Sequence, residues 1–273
     1  MVRLLQVFLV FIIGISISSP CCAGIKIGGK KAETRAQQKA RNNIDEMVSA
    51  AESFLQVEDS FDRAIKILKE AYFQSNQDNY TIGIIKSANL VADGYLYLVD
   101  YSNATSKYYI AMRHAESIGD SVSMAKAYRG LGLVKFNMKQ WADAISNFNT
   151  SRDFNALSNQ VKVTSLIDYL LGLSYYHLGK YEIAEQSLLT ARQAASVMGN
   201  SMRLLEIDLN LTNVLVERTN QPSVLIKYDS LHDIFKQLPS KHFVVKHVIT
   251  AYRLLFKFRF SRNKVDRQKH NKQ

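Results

Sequence analysis

The side chains in this 273-residue chain that could bind a metal or attack a substrate are six histidines, two cysteines and scattered acids. His114, His177, His232, His242, His247 and His270 are dispersed, and the nearest two, His242 and His247, are five apart. Two ligands on one helix face need a step of three or four, so no two histidines form a helical metal site. Cys21 and Cys22 both lie in the small-residue stretch Ser18 to Ala23, which reads as a cleavage region, so the mature chain would have no cysteine, no disulfide framework and no thiol chemistry. The stretch Gly24 to Lys30 lacks the Gly-Lys-Ser/Thr that closes a phosphate loop. No serine sits in a nucleophile elbow, and the acidic pairs Asp45-Glu46 and Glu58-Asp59 read as helix-end and solvent-face charges. The Asn-x-Ser/Thr triplets at Asn79, Asn103, Asn149 and Asn210 are weak glycosylation signals. The expectation is a chain that is not an enzyme and uses no metal and no cofactor. His177, beside Tyr176, is kept as a candidate for partner binding.

The elements that would position such residues are visible as a repeat. Phe61, Tyr101, Trp141 and Tyr181 are forty apart, and so are Ala64, Ala104, Ala144 and Ala184. The same step links Leu68, Tyr108, Phe148 and Leu188, and again Ala71, Ala111, Ser151 and Ala191. Within a unit these positions follow steps of three and four, which places them on one helical stripe. The alanines are small enough for a neighbouring helix to pack against them. A second amphipathic segment precedes each aromatic, carrying Ala92, Gly132 and Gly172 in one position. Glycine inside a helix costs about 1 kcal/mol relative to alanine, so its recurrence points to close helix–helix contact. Each unit is therefore a helical hairpin, with turns at Val99-Asp100, Lys139-Gln140 and Gly179-Lys180.

The joints between units keep the period as well: Asn79, Gly119, Asn159, Gly199 and then Pro239. Glycine and asparagine accept the left-handed conformation that closes a helix, and proline stops one. Asp120, Ser201 and Ser240 are expected to cap the helices that follow. No alternating run of β-branched residues suggests a strand.

These residues resemble the tetratricopeptide repeat, through Leu131-Gly132, Trp141, Ala144 and Phe148, and again Leu171-Gly172, Tyr175, Tyr181, Ala184 and Ala191. The period of forty exceeds that family's usual ~34 residues and is similar to sensor-type arrays of bacterial signalling proteins. A fifth unit keeps the register at Leu211, Leu215, Val224, Tyr228 and Leu231, but Gln221 and Pro222 disturb its turn. A sixth leading helix is expected around Ala251, Tyr252 and Leu255. The resemblance implies an all-α fold, an α–α superhelix of about five hairpins plus a terminal helix, over residues 45–258.

In that geometry the leading helix of each hairpin lines a concave groove. The resemblance places Asn89, Asp93 and Tyr97 there from the second unit, and Lys126, Arg129, Leu133 and Asn137 from the third. Tyr169, Leu173, Tyr176 and His177 follow from the fourth, and Asn213 and Glu217 from the fifth. Leu133 and Leu173 share one repeat position and would form an apolar floor, a mixture that suits an extended peptide or an amphipathic helix. The lysine, asparagine and arginine pattern that grips a terminal carboxylate in some tetratricopeptide domains is absent, because Asn89 and Asp93 are followed by Gly130 and no basic pair.

The ends differ from the repeats. Arg3, the apolar run Leu4 to Ile17 and the small residues Ser18 to Ala23 read as a signal peptide over residues 1–23. Residues 24–44 form a basic segment, whose Lys26, Lys30, Lys31, Arg35, Lys39 and Arg41 favour the alternative of a membrane anchor through residues 4–17. Residues 241–273 carry ten Lys or Arg against one acid, Asp266, within a net charge of +11. The span 42–240 has 18 bases and 22 acids, so the basic character lies outside the repeats. The tail, residues 259–273, could touch an anionic membrane weakly, and no nucleic acid is expected as a partner. The sequence thus predicts an exported, non-enzymatic scaffold whose groove holds a protein or peptide. The alternative is the sensor module of a bacterial signal-transduction protein.

Overall fold

The computed structural model describes residues 34–54, 61–156, 161–199, 201–219 and 221–236. The chain divides into two compact units, Met1–Gln38 and Lys39–Gln273. Of the first, only the beginning of a helix is described. There Thr34 and Gln37 form a capping box: the Gln37 amide donates to Thr34 Oγ1 at 3.2 Å, and the Thr34 amide donates to Gln37 Oε1 at 3.0 Å. The expected signal peptide, the membrane-anchor alternative, the basic tail and the sixth leading helix lie outside the described residues.

The second unit is an array of helices. In chain order they are α1 (Arg35–Phe54, entered from the first unit), α2 (Phe61–Gln77), α3 (Thr81–Tyr97), α4 (Tyr101–Ile118) and α5 (Ser121–Asn137). Then come α6 (Trp141–Ala156), α7 (Val161–His177), α8 (Tyr181–Val197), α9 (Ser201–Thr219) and α10 (Leu225–Lys236). No strand occurs among the described residues, and no helix there is long and apolar enough to cross a membrane. α1 runs from Arg35, within the expected basic segment of residues 24–44, into the expected solenoid that starts at residue 45.

The forty-residue columns are the core. Ala64, Ala104, Ala144 and Ala184 are fully buried, as are Leu68, Tyr108, Phe148 and Leu188. The core is a series of local clusters. Tyr108 of α4 packs with Leu131 and Val134 of α5, and Phe148 of α6 packs with Ile167 and Leu171 of α7. Each cluster joins the trailing helix of one unit to the leading helix of the next, as expected for a quasi-one-dimensional fold.

Close approach explains the small residues. A Cβ on Gly132 would lie 2.4 Å from the Phe148 ring, and one on Gly172 would lie 2.6 Å from Leu188. A further pair of columns shows how tightly the two helices of a unit meet. Ser151 Oγ of α6 donates to the Ala125 carbonyl of α5 at 2.6 Å. Forty residues on, the roles exchange, and Ser165 Oγ of α7 donates to the Ala191 carbonyl of α8 at 3.2 Å. One serine and one alanine satisfy this contact whichever helix carries the hydroxyl.

Two kinds of turn share one closure. At the joints, Asn79, Gly119 and Gly199 have φ of 49°, 70° and 65°. Asn159, Pro239 and Ser240 lie outside the described residues. Inside the hairpins, Val99, Lys139 and Gly179 have φ of 61°, 60° and 72°. In both settings the next amide bonds back five residues, from Asp100 to the Tyr95 carbonyl and from Asp120 to the Ala115 carbonyl, each at 2.9 Å. Asp120 caps α5 as expected by accepting from the Ser123 amide, and Asp100 caps α4 in the same way from Asn103. Ser201, expected as a cap, is instead the first residue of α9. In the fifth unit Pro222 opens a 3₁₀ turn, Pro222–Val224, and α10 starts at Leu225, four positions later than the period requires.

Candidate functional site

Two pairs of leading helices from neighbouring units approach one another, α3 with α5 and α7 with α9. Trailing helices of successive units do not pair to that degree among the described residues. The leading-helix side is thus the inner side of the array. Columns forty apart cross it: Lys86, Lys126, Leu166 and Glu206; Asn89, Arg129 and Tyr169; Asp93, Leu133, Leu173 and Asn213; Tyr97, Asn137, His177 and Glu217.

Two of the expected groove residues are not on the surface. Asn89 is 1% exposed and Asn213 is 2% exposed. For α3 the reason is that its middle turns are enclosed nearly all round, from Ile84 to Ala92 apart from Lys86. The Asn89 Oδ1 has no hydrogen-bond partner there.

Asp93 has a structural task. Its carboxylate accepts the Tyr108 hydroxyl at 2.6 Å and pairs with Lys126 at 3.8 Å. Burial, reinforced by the Asp93 charge, pushes the Tyr108 hydroxyl far above its ordinary pKa and keeps it a donor. Where the core column changes to Phe148 and Leu188, the partner column changes to Leu133 and Leu173. A buried hydroxyl needs an acceptor and a buried hydrocarbon does not.

Arg129 is half-buried, and among the described residues it makes no ion pair. Its charge is close enough to Tyr108 to oppose the rise there. Leu133 and Leu173 are half-buried, with Leu133 resting on the cluster of Phe148 and Ile167. Tyr169 accepts from Asn210 Nδ2 at 3.1 Å, and the Arg203 guanidinium lies 5.0 Å from its ring. Burial raises the Tyr169 pKa, with the Glu206 charge adding to it. Tyr97 and Asn137 are exposed at the ends of their helices.

His177 stacks on Trp141 with ring centroids 4.4 Å apart and meets Phe136 edge-on at 5.7 Å. Tyr176 touches it at 5.3 Å and continues to Tyr181 at 5.9 Å. Desolvation in this stack lowers the His177 pKa, favouring the neutral imidazole. The cluster joins the third and fourth units, so His177 and Tyr176 serve packing as well as surface. Among the described residues no group of His, Cys, Asp and Glu could hold a metal ion.

One polar cluster on the inner side was not anticipated. Asp45 of α1 accepts from the Tyr80 hydroxyl at 2.8 Å and pairs with Lys86 of α3 at 3.2 Å, and Arg41 lies over the Tyr80 ring at 5.0 Å. The step from Lys86 to Lys126 was the available signal, since both lysines reach back to an acid on the preceding leading helix.

No protein-family model matches the chain, and no curated protein sequence does. Solved structures do. The apo form of RapI is similar at a TM-score of 0.66 and 16% identity, over 78% of this chain and 77% of that one. PH0952 from Pyrococcus horikoshii, a signal-transduction ATPase with a tetratricopeptide repeat sensor, is similar at 0.64 and 16% identity. The match spans 80% of this chain but only 33% of that protein. The Rap conjugation gene regulator of plasmid pLS20, solved with the Phr* peptide, is similar at 0.50 and 14% identity, over 72% and 62%. At such identities the likeness shows fold alone. The class is nevertheless plain: the described helices form a tetratricopeptide-type α–α superhelix.

Proposed function

We propose that this chain is a non-enzymatic scaffold whose leading-helix face holds an extended segment of a protein or peptide. The observation that carries the reading is the line Arg129, Leu133, Tyr169 and Leu173. Along the repeat columns it carries a half-buried guanidinium that makes no ion pair among the described residues, two half-buried leucines and a half-buried tyrosine. A half-buried cation without a carboxylate is costly alone and gains from a partner that supplies one. The peptide complex of the pLS20 regulator supports the reading through the shared fold. A second reading, a sensor module within a signalling protein, is supported by the likeness to PH0952, whose repeats are its sensor. In both readings the inner face does the binding.

Affinity capture with the full chain tests the proposal. Arg129→Glu combined with Leu173→Asp should abolish recovery of a partner that the unsubstituted chain retains, with helicity unchanged. Equal recovery by both would remove the inner face from consideration.

A further inference from the structure

The fifth unit breaks the rule that keeps the others tight. At the position of Gly132 and Gly172 it carries Thr212, at that of Ala144 and Ala184 Val224, and at that of Ser151 and Ala191 Leu231. Opposite Leu231, Leu205 replaces Ala125 and Ser165. A Cβ at Gly172 would collide with Leu188 of its trailing helix, and the threonine at that level goes with a looser contact between α9 and α10. The larger residues remain buried, with Thr212 at 3%, Leu231 at 7% and Val224 at 8% exposure, so the register survives although α10 touches α9 less than α8 touches α7.

A cavity of about 430 Å³ lies between α8, α9 and α10. That volume lies in the range of small-molecule sites. Leu211, Leu215 and Leu231 line its interior, and Leu189 and Ile234, both about half exposed, stand at its mouth. Among the described lining residues there is no aromatic ring. The charges at its edge are mostly neutralised. Arg192 makes a two-point contact with Asp208, and Glu185 pairs with Arg218 at 3.1 Å. Lys227 also lines the cavity, and among the described residues it has no carboxylate partner.

We propose that this cavity is a binding site for a flexible aliphatic carboxylate, with the hydrocarbon among the leucines and the carboxylate at Lys227. The aliphatic walls select an alkyl body, and Lys227, the one unneutralised charge among the described lining residues, selects an anionic head. The site belongs to the junction of α8 with the fifth unit and does not depend on the inner-face reading.

Calorimetric titration of the full chain with dodecanoate, below its micellar concentration, tests this. Saturable binding of one molecule per chain is expected. Lys227→Glu should weaken it about twofold to fivefold, the scale of one rim ion pair. Ser230→Trp, at an exposed lining position of α10, should fill the space and remove binding with the helical content intact. Dodecyltrimethylammonium should bind more weakly than dodecanoate. The proposal is overturned by no saturable binding, by unchanged binding in the Ser230→Trp chain, or by equal affinity for the cationic amphiphile.

Discussion

Val99 is the residue most at odds with its own backbone. It sits at φ 61° in the hairpin turn of the second unit, where the fourth unit has Gly179 at 72°. A left-handed conformation costs an L-residue about 1–2 kcal/mol, and β-branching makes it worse. Val99 is 63% exposed, so few contacts offset the strain. Val99→Gly should therefore raise stability by about 0.5–1 kcal/mol, after allowing for the extra freedom of glycine in the unfolded chain. A lowered urea midpoint in that variant would contradict the argument. This strain was not legible from residue types: Asn79, Gly119 and Gly199 announce a left-handed turn, whereas valine and lysine do not. Asp93 was half legible. Its spacing marked it as an inner-face residue, but its bond to Tyr108 emerges only when the Tyr108, Phe148, Leu188 column is compared with the Asp93, Leu133, Leu173 column.

Between helices, what decides the geometry is the size of the smallest side chain at each crossing. Gly132 lets α5 lie against Phe148 of α6. Gly132→Ala gains about 1 kcal/mol of helix propensity but incurs an overpacking cost of about 1–3 kcal/mol. The net expectation is a fall in the thermal midpoint of about 2–4 °C for each kcal/mol by which crowding wins, at this chain length. An unchanged or higher midpoint would show that Phe148 can give way. The small-residue columns were readable in the sequence because spacing and size both repeat. The burial of Asn89 and Asn213 was not, since a helical period assigns a face without saying how many neighbours enclose it. Loss of the small residues in the fifth unit was equally present in the letters, and its meaning required the gap beside α10 to be seen.

For the whole array, stability is a sum of unit and neighbour terms, so the weakest junction opens first. Among consecutive helices from α2 to α10 that junction is α9 with α10, where a proline-led 3₁₀ turn replaces the capped hairpin and packing is sparse. Hydrogen exchange by mass spectrometry should show α10 amides exchanging well before those of α5 and α6. Uniform protection from α3 to α10 would mean that the array opens as a single cooperative body. Added dodecanoate should slow exchange in α10 selectively, linking the cavity to that junction.

The shared closure of the two turn types has a consequence for how such a chain can be cut and rejoined. The bend after a leading helix and the bend after a trailing helix use the same left-handed residue and the same backward amide bond. To the backbone they are interchangeable. A forty-residue block framed from α3 to α4 and one framed from α4 to α5 are equally valid modules, and an engineer lengthening the array could splice at either bend. The chain has a period but no privileged first letter.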